Sequence, residues 1–499
     1  MREEQAIPET PQVPDNRQPP AGLEGPARRA AAGPDELTGQ RETPGGRQPP
    51  GGRAAPGRAS PAGPGEPDAA GSEGLSPARW LQAYLTARRE ALIDLLAGLV
   101  NQDSPSHEKR LLDALADRLA EELAARGGRV ERVRQARAGD HLIGRFFGAG
   151  DGVAGGVLLL AHYDTVWPAG EAARRPFRRA GDRGYGPGAF DMKGGIVIGL
   201  AALEACAALA AAGSAPPGTG TPVPGGDARS RRLPPVTFLL TSDEEVGSGT
   251  SRPLIEDLAR RHQAVLVLEP AAGGRLKTAR KGVGDFVLRV RGREAHAGND
   301  PARGISAIDE LARQVLRLHS LSDPGRGTTV NVGVVRGGLR PNVVAGWAEA
   351  EVDVRVASRA EAERLEALFR SWTAILPGAE VSITGGFNRP PMEFTPANAA
   401  LFARAQAVGR QLGLEIEGVA VGGASDGNFT SALGVPTLDG LGATGDGAHA
   451  PDEHVRLDEL PVRAALLAAL ILDLAGPGPG GDPDGEGEAS LQGGRRQAG

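Results

Sequence analysis

The sequence predicts an α/β protein: a mainly parallel sheet flanked by helices, interrupted by a second unit of α+β pattern. Three observations predict it. Apolar runs such as GVLLLAH, VTFLLT and AVLVLEP alternate with stretches of helical period, the pattern of a parallel sheet covered by helices. From Asp285 the rhythm becomes strand, helix, strand, strand, helix, strand, the split ferredoxin-like order. After Pro396 the first pattern resumes, so the second unit reads as an insertion.

The elements follow in order. Residues 1–75 are Pro, Gly, Ala, Arg and acids with almost no large apolar side chains, too little to offset the entropy of ordering. They read as a disordered tail. WLQAYLTARREALIDLLAGLVNQ and EKRLLDALADRLAEELAARGG carry apolar residues at three and four spacing, hence helices, with Ser106 placed to cap the second. HLIGRFFG and GVLLLAH read as strands, DRGYGPGAFD as a glycine-rich loop, and Met192 to Ala212 as a helix. Residues 213–232 read as a flexible insertion. VTFLLTSDEEVGS is a strand with an acidic mouth, Arg252 to His262 a helix, and AVLVLEP a strand ending in an acid. In the inserted unit the strands are DFVLRVR, TTVNVGVVRGG, AEAEVDVRV and AEVSITGGF, with helices from Ile305 to Leu318 and Ala360 to Leu376. Helix Ala397 to Leu412, strands EIEGVAV and VPTLDG, and helix Leu460 to Leu474 close the chain. The division is tail 1–75, first part of the main domain 76–280, inserted domain 281–392, second part 393–475, and a glycine-rich tail 476–499.

The totals exclude several classes. A 40% hydrophobic content over 499 residues supports a sizeable core. The 74 glycines and 40 prolines against 4% aromatics point to unstructured pieces around it. A net charge of −6 argues against general nucleic-acid affinity. The single cysteine, Cys206 in ALEACAALA, rules out an intrachain disulfide or a cysteine-based zinc site and reads as a small core residue. No run approaches a membrane span. MREEQAIPETPQ has no apolar signal core, so a cytoplasmic location is expected, with secretion not excluded.

GVLLLAHYD ends abruptly in His162 and Asp164. Two residues apart in a strand, they share one face. A carboxylate there can hold an imidazole while its other nitrogen binds a metal. A lone His-x-Asp pair is ordinarily plain polarity, but further apolar runs also end in acids. His162, Asp191, Glu244, Glu245, Glu269 and His449 all fall where strands should open, the place where open α/β sheets build their sites. Two histidines and several carboxylates without cysteine suit Zn, Co or Mn. Adjacent in an extended segment, Glu244 and Glu245 would point to opposite sides, leaving one free for proton transfer. Tyr163 would face away and pack.

The segments LLLAHYDTVWPAG, GYGPGAFDMKGG, FLLTSDEEVGS, VLVLEP, REAHAG and GDGAHAPDEHV resemble the M20 family of metallopeptidases across residues 80–475. The loops look most like its glutamate carboxypeptidase (carboxypeptidase G2-like) branch. The resemblance implies a zinc-exopeptidase catalytic domain interrupted by a lid and dimerisation domain, and a homodimer formed through it. It implies two Zn²⁺, with Co²⁺ or Mn²⁺ as substitutes. Asp191 would bridge them, His162 and Glu269 would complete one site, and Glu245 and His449 the other. Glu244 would be the general base toward a metal-bridged water, and Asp164 would orient His162. The family's cis peptide would fall at Asp191-Met192. His296 in REAHAG would donate to the oxyanion, often from the partner subunit. Asn342, Arg355 and Arg389 would hold the substrate's carboxylate, arginine because its planar fork grips such a group with two bonds. After Asn342-Val343-Val344 the family has proline, whereas this chain has Ala345, which questions that loop's rigidity. Glu453 and His454 rank below His449 as ligands. His107, His141, His262 and His319 fit helix or loop surfaces.

The implied reaction is hydrolysis of the amide bond to a C-terminal amino acid, glutamate favoured, of a peptide or N-acyl amino acid. The alternatives are an N-acyl amino-acid deacylase of the acetylornithine or succinyl-diaminopimelate type, or a non-catalytic homologue.

Overall fold

The computed structural model describes residues 76–148, 155–212 and 233–475. The expected tails 1–75 and 476–499 and the expected insertion 213–232 lie outside them.

The main sheet has six strands, in the order Arg129–Val133, His141–Phe146, Val236–Thr241, Val157–His162, Ala264–Val267 and Thr437–Leu438. Pairings among the last four are parallel; the two at the other edge are antiparallel. Val157–His162 and Val236–Thr241 are buried at every residue, as continuous apolar strands covered on both faces should be. Alternate side chains serve different cores. Val157, Leu159 and Ala161 join helices Pro77–Thr86, Gly194–Ala212 and Leu460–Asp473 on one face. Leu158 and Leu160 join Ile255, Leu258 and Phe429 on the other.

Several expectations need correcting. The first long helix is two, Pro77–Thr86 and Arg89–Val100. At the break Arg88 lies over the Tyr84 ring, 3.6 Å from its centroid, and pairs with Glu204 at 3.4 Å. Ser106 does not cap the next helix, Lys109–Ala125, whose cap position is Glu108 with no side-chain bond; its hydroxyl donates to Asp164 instead, at 2.7 Å. Arg129–Val133 and Leu276–Arg280 are strands that the pattern did not single out. One segment, Ala189–Ala211, is long and apolar enough to cross a membrane by length and composition, contrary to the reading that none is. It is the core helix of this fold: Ile196, Val197, Ile198, Leu200, Leu203 and Cys206 are fully buried. Gly195 lets its start press on the sheet, since a Cβ there would lie 2.0 Å from the Leu268 carbonyl oxygen.

The inserted unit is a four-stranded antiparallel sheet in the order Thr329–Gly337, Trp347–Val356, Gly282–Arg291 and Glu380–Arg389. It has its own core, built on Phe286, Leu288, Val352, Val354, Leu365 and Phe369. Helix Ala307–His319 is capped by Ser306 and helix Arg359–Arg370 by Ser358, each hydroxyl accepting an otherwise unpaired N–H. The second helix stops short of Leu376, because Ile375 and Leu376 give their N–H groups to the buried Glu310. Where the chain leaves for this unit and returns, Arg280 and Met392 exchange backbone hydrogen bonds of 2.9 and 3.0 Å.

Candidate metal centre

Strands Val157–His162, Val236–Thr241 and Ala264–Val267 run parallel, so the residues at and after their C-terminal ends meet. His162 closes the first, Glu244 and Glu245 follow the second, and Glu269 follows the third. Asp191 arrives from the turn before the core helix and is followed by a cis peptide, Asp191-Met192. His449 reaches in from the last loop with φ +62°.

Asp191 sits between two groups. One carboxylate oxygen, Oδ1, lies 3.4 Å from His162 Nε2, which is also 3.4 Å from Glu269 Oε1. The other, Oδ2, lies 3.4 Å from His449 Nε2, which is 3.2 Å from Glu245 Oε1. Asp191 Oδ1 is buried with no hydrogen-bond partner. Donor atoms also converge within 4.8 Å as His162–Asp191–Glu245 and as His162–Glu244–Glu269. These sets cut across the division by the two Asp191 oxygens. Only the division by the Asp191 oxygens gives each oxygen of that carboxylate its own histidine–carboxylate pair.

The donor set fits divalent cations: nitrogen and carboxylate oxygen only, with a buried oxygen that no protein donor satisfies. Crowded carboxylates also set the charge states. Burial opposes charge on His162, yet Asp164, Asp191 and Glu269 raise it well above the usual imidazole range. Asp191 and Glu245 push His449 up to about 10. Burial opposes ionisation of Asp191, but the two imidazoles hold its carboxyl below the usual range. Burial lifts Glu244 well above the carboxylate range, against the pull of Arg389.

Glu244 and Glu245 are not in an extended segment; they form a 3₁₀ turn, Glu244–Val246. Asp164 makes the turn, its carboxylate accepting the N–H of Glu244 and of Glu245 at 3.2 Å each. The turn still separates the two side chains: Glu245 faces His449, while Glu244 faces Arg389 with Oε1 3.0 Å from Nη2. Asp164 also meets His162. The imidazole Nδ1 is 3.0 Å from its backbone carbonyl and 3.4 Å from Oδ1. Tyr163 packs away as expected, fully buried, with its hydroxyl donating to the Asp140 carbonyl.

Glu453 holds the Asp191 turn. Its buried carboxylate accepts from Trp167 Nε1 (2.9 Å) and from the N–H groups of Gly188 (2.9 Å), Phe190 (3.0 Å) and Asp191 (3.0 Å). His454 instead lies against Tyr185, the rings tilted at 34° with centroids 5.2 Å apart. His141, expected at the surface, is fully buried between Ser242 and Thr250.

The inserted unit's candidates do not all reach this cluster. Arg389 does: it is buried, donating to Asp426 Oδ1 (2.7 Å), the Glu244 carbonyl (2.9 Å) and Ser248 Oγ (2.9 Å). Arg355 is half exposed, paired with Asp353 at 3.1 Å and donating to the Gly422 carbonyl at 3.1 Å. His296 and Asn342 sit together in exposed loops: His296 pairs with Val343, and the Asn342 carbonyl accepts from Ala297 at 3.0 Å. The N–H groups of Gly298 and Asn299 point at His296 Nδ1. That nitrogen is therefore the acceptor and Nε2 carries the proton. None of these bonds reaches the cluster. The segment with Ala345 is held without proline, by Val344 N–H to the Ala295 carbonyl (2.9 Å) and Ala307 N–H to the Ala345 carbonyl (2.8 Å). Sequence reasoning missed Asp426, Asp439 and Arg280. Asp439 alone had a signal, since it too ends an apolar run, VPTLD.

Residues 158–220 match the model of peptidase family M20/M25/M40, and residues 278–377 match that of the peptidase dimerisation domain. Carboxypeptidase G2 of Pseudomonas sp. (strain RS-16) is 30% identical over 402 residues, 78% of this chain and 90% of that protein. A succinyl-diaminopimelate desuccinylase of Alkalilimnicola ehrlichii is 29% identical over 349 residues, 65% of this chain and 86% of that protein. The crystal structure of aminopeptidase PepT from Bacillus cereus superimposes with a TM-score of 0.61 at 20% identity, covering 78% of this chain and 99% of that one. That likeness shows the shared fold. With the two family matches and the similarity to carboxypeptidase G2, the chain belongs to peptidase family M20/M25/M40 and is a hydrolase of its metallopeptidase and amidohydrolase type.

Proposed function

We propose that this enzyme hydrolyses the amide bond to a C-terminal amino acid, glutamate favoured, of a small peptide or N-acyl amino acid, with two zinc ions held by its histidine–carboxylate cluster. The observation that carries the reading is Asp191, whose two oxygens face two separate histidine–carboxylate pairs. In it, His162 and Glu269 would hold one cation and Glu245 and His449 the other, with Asp191 contributing to both. Such ions polarise a carbonyl and bring water into reach of deprotonation near neutral pH.

The chain's own groups do the rest. Glu244 takes the proton of the attacking water at its carboxylate and delivers it to the leaving amine nitrogen. Burial raises its proton affinity against the pull of Arg389, the direction that suits a group that must take up a proton. Asp164 fixes the backbone beneath both glutamates and the ring of His162. Arg355 and Asn342 take the substrate's carboxylate, joined by Arg389 from the floor of the site. His296 offers an Nε2–H to the oxyanion. Its exposed position suits a second copy of the chain, docked through residues 281–392 as lid and dimerisation domain.

A deacylase of the succinyl-diaminopimelate type is the second reading, favoured by the 29% identity to that desuccinylase. Metal titration of the wild type and of Asp191→Ala tests the centre. Two ions bound by the wild type and loss of metal by the variant are expected; undiminished metal with intact activity removes the bridging role. A panel of N-acyl amino acids, including acylated glutamates and succinylated diamino acids, separates the two substrate readings.

A further inference from the structure

We propose that Arg280 is a positioning residue that makes Glu269 a one-oxygen metal ligand; this rests on the two-metal reading above. All five N–H groups of its buried guanidinium are accounted for. Nε donates to Asp439 Oδ2 at 2.7 Å, and Nη2 to Asp439 Oδ1 at 2.9 Å. Nη1 donates to the carbonyls of Gly423 and Ala424 at 3.2 Å each. The remaining Nη2 proton goes to Glu269 Oε2 at 3.2 Å. Lys277 Nζ stands 3.9 Å from that same oxygen.

The two oxygens of Glu269 therefore face different partners. Oε2 is held by cations of the protein, and Oε1 faces His162 Nε2 at 3.4 Å. A carboxylate that binds a cation through both oxygens must turn both toward it; here the guanidinium keeps one away. A free arginine would also cancel the ligand's charge and weaken its hold on a cation. Asp439 prevents this, because it is fully buried, takes two of the guanidinium bonds and is itself fixed by Ser425 Oγ at 2.6 Å. The Arg280–Asp439 pair is neutral as a unit, so it supplies direction while Glu269 keeps its charge. The fork geometry is required: a lysine ammonium retains charge but cannot bond Asp439 twice and reach Glu269.

The test compares wild type, Arg280→Lys and Arg280→Met, each checked for native far-UV circular dichroism. Stepwise zinc affinities are measured by chelator competition. One of the two ions is expected to bind about 10–100-fold more weakly in the variants, with Arg280→Lys the milder, while the other ion keeps its affinity. Unchanged affinities for both ions, or equal weakening of both, overturn the proposal. A wild type that binds fewer than two ions overturns the two-metal reading instead. A crystal of the zinc-loaded wild type needs no variant: Glu269 bound through Oε1 alone, with Oε2 on Arg280, supports the assignment, and binding through both oxygens removes it.

Discussion

The main α/β part and the inserted unit hold their polar residues in opposite ways. Around the strand mouths, His162, Asp164, Glu269, Asp426 and Asp439 are buried, and each bonds to a group far away in sequence. In the inserted unit, His296 and Asn342 are exposed, and their described bonds stay within that unit. The first arrangement is finished within one chain. The second leaves its polar groups facing solvent. Two residues of the inserted unit are the exception, Arg389 and, through the Gly422 carbonyl, Arg355. Arg389 reaches the main part and holds Glu244, as Arg280, just before the connection, holds Glu269. The difference teaches that the charge cluster is tied together by long-range bonds inside the fold, whereas His296 and Asn342 keep their described bonds local.

The sharpest way to break that contrast is Glu244→Gln. The proton-transfer role predicts a fall in kcat of about 10²–10⁴ with metal content unchanged; a variant that loses metal would make Glu244 a ligand. His296→Ala comes next, with about 10²–10³ lost in kcat and metal again retained. Its decisive arm is mixing. Dimers formed from one His296→Ala chain and one Glu244→Gln chain contain a complete site only if His296 acts across the interface. Recovered activity is expected, and none would place its action within its own chain.

The arginines sharpen the comparison further. Arg355→Ala should raise KM about 10-fold for substrates with acidic C-termini and much less for neutral ones. Arg389→Ala should do the same and also lower kcat, because it removes the partner of Glu244. Equal effects on all substrates would take the carboxylate role from either residue.

The smallest effect concerns stability, at a site remote from the cluster. Hydrogen bonds from Arg364, against the cost of burial, hold the Glu361 carboxyl down to about 2. Its folded value lies below its unfolded one, so its contribution is present above about pH 4.5 and lost as pH falls toward about 2. Glu361→Gln should cost about 1–2 kcal/mol at neutral pH, since Arg364 is partly exposed and screened, and should flatten the acid limb of a pH–Tm curve. An acid limb identical to the wild type's would dismiss this linkage.

The sequence by itself determined the alternation of buried strands and helices, the βαββαβ order of the inserted unit, and the placing of His162 at a strand end and of Glu244, Glu245, Glu269 and His449 beyond strand ends. Those are local matters: period, apolar run length and where a run stops. Only the tertiary structure decided where side chains meet. Ser106 looked like a helix cap and became a donor to Asp164, 58 residues away. Glu244 and Glu245 looked extended, and Asp164 folded them into a turn. Arg280 carried no signal at all, because its meaning lies in Asp439, 159 residues along the chain. Such pairings depend on strand order and on the crossing of two connectors, and neither leaves a period in the sequence. A buried charge must find its partner wherever the fold brings one, and that partner is set by the packing of the whole chain.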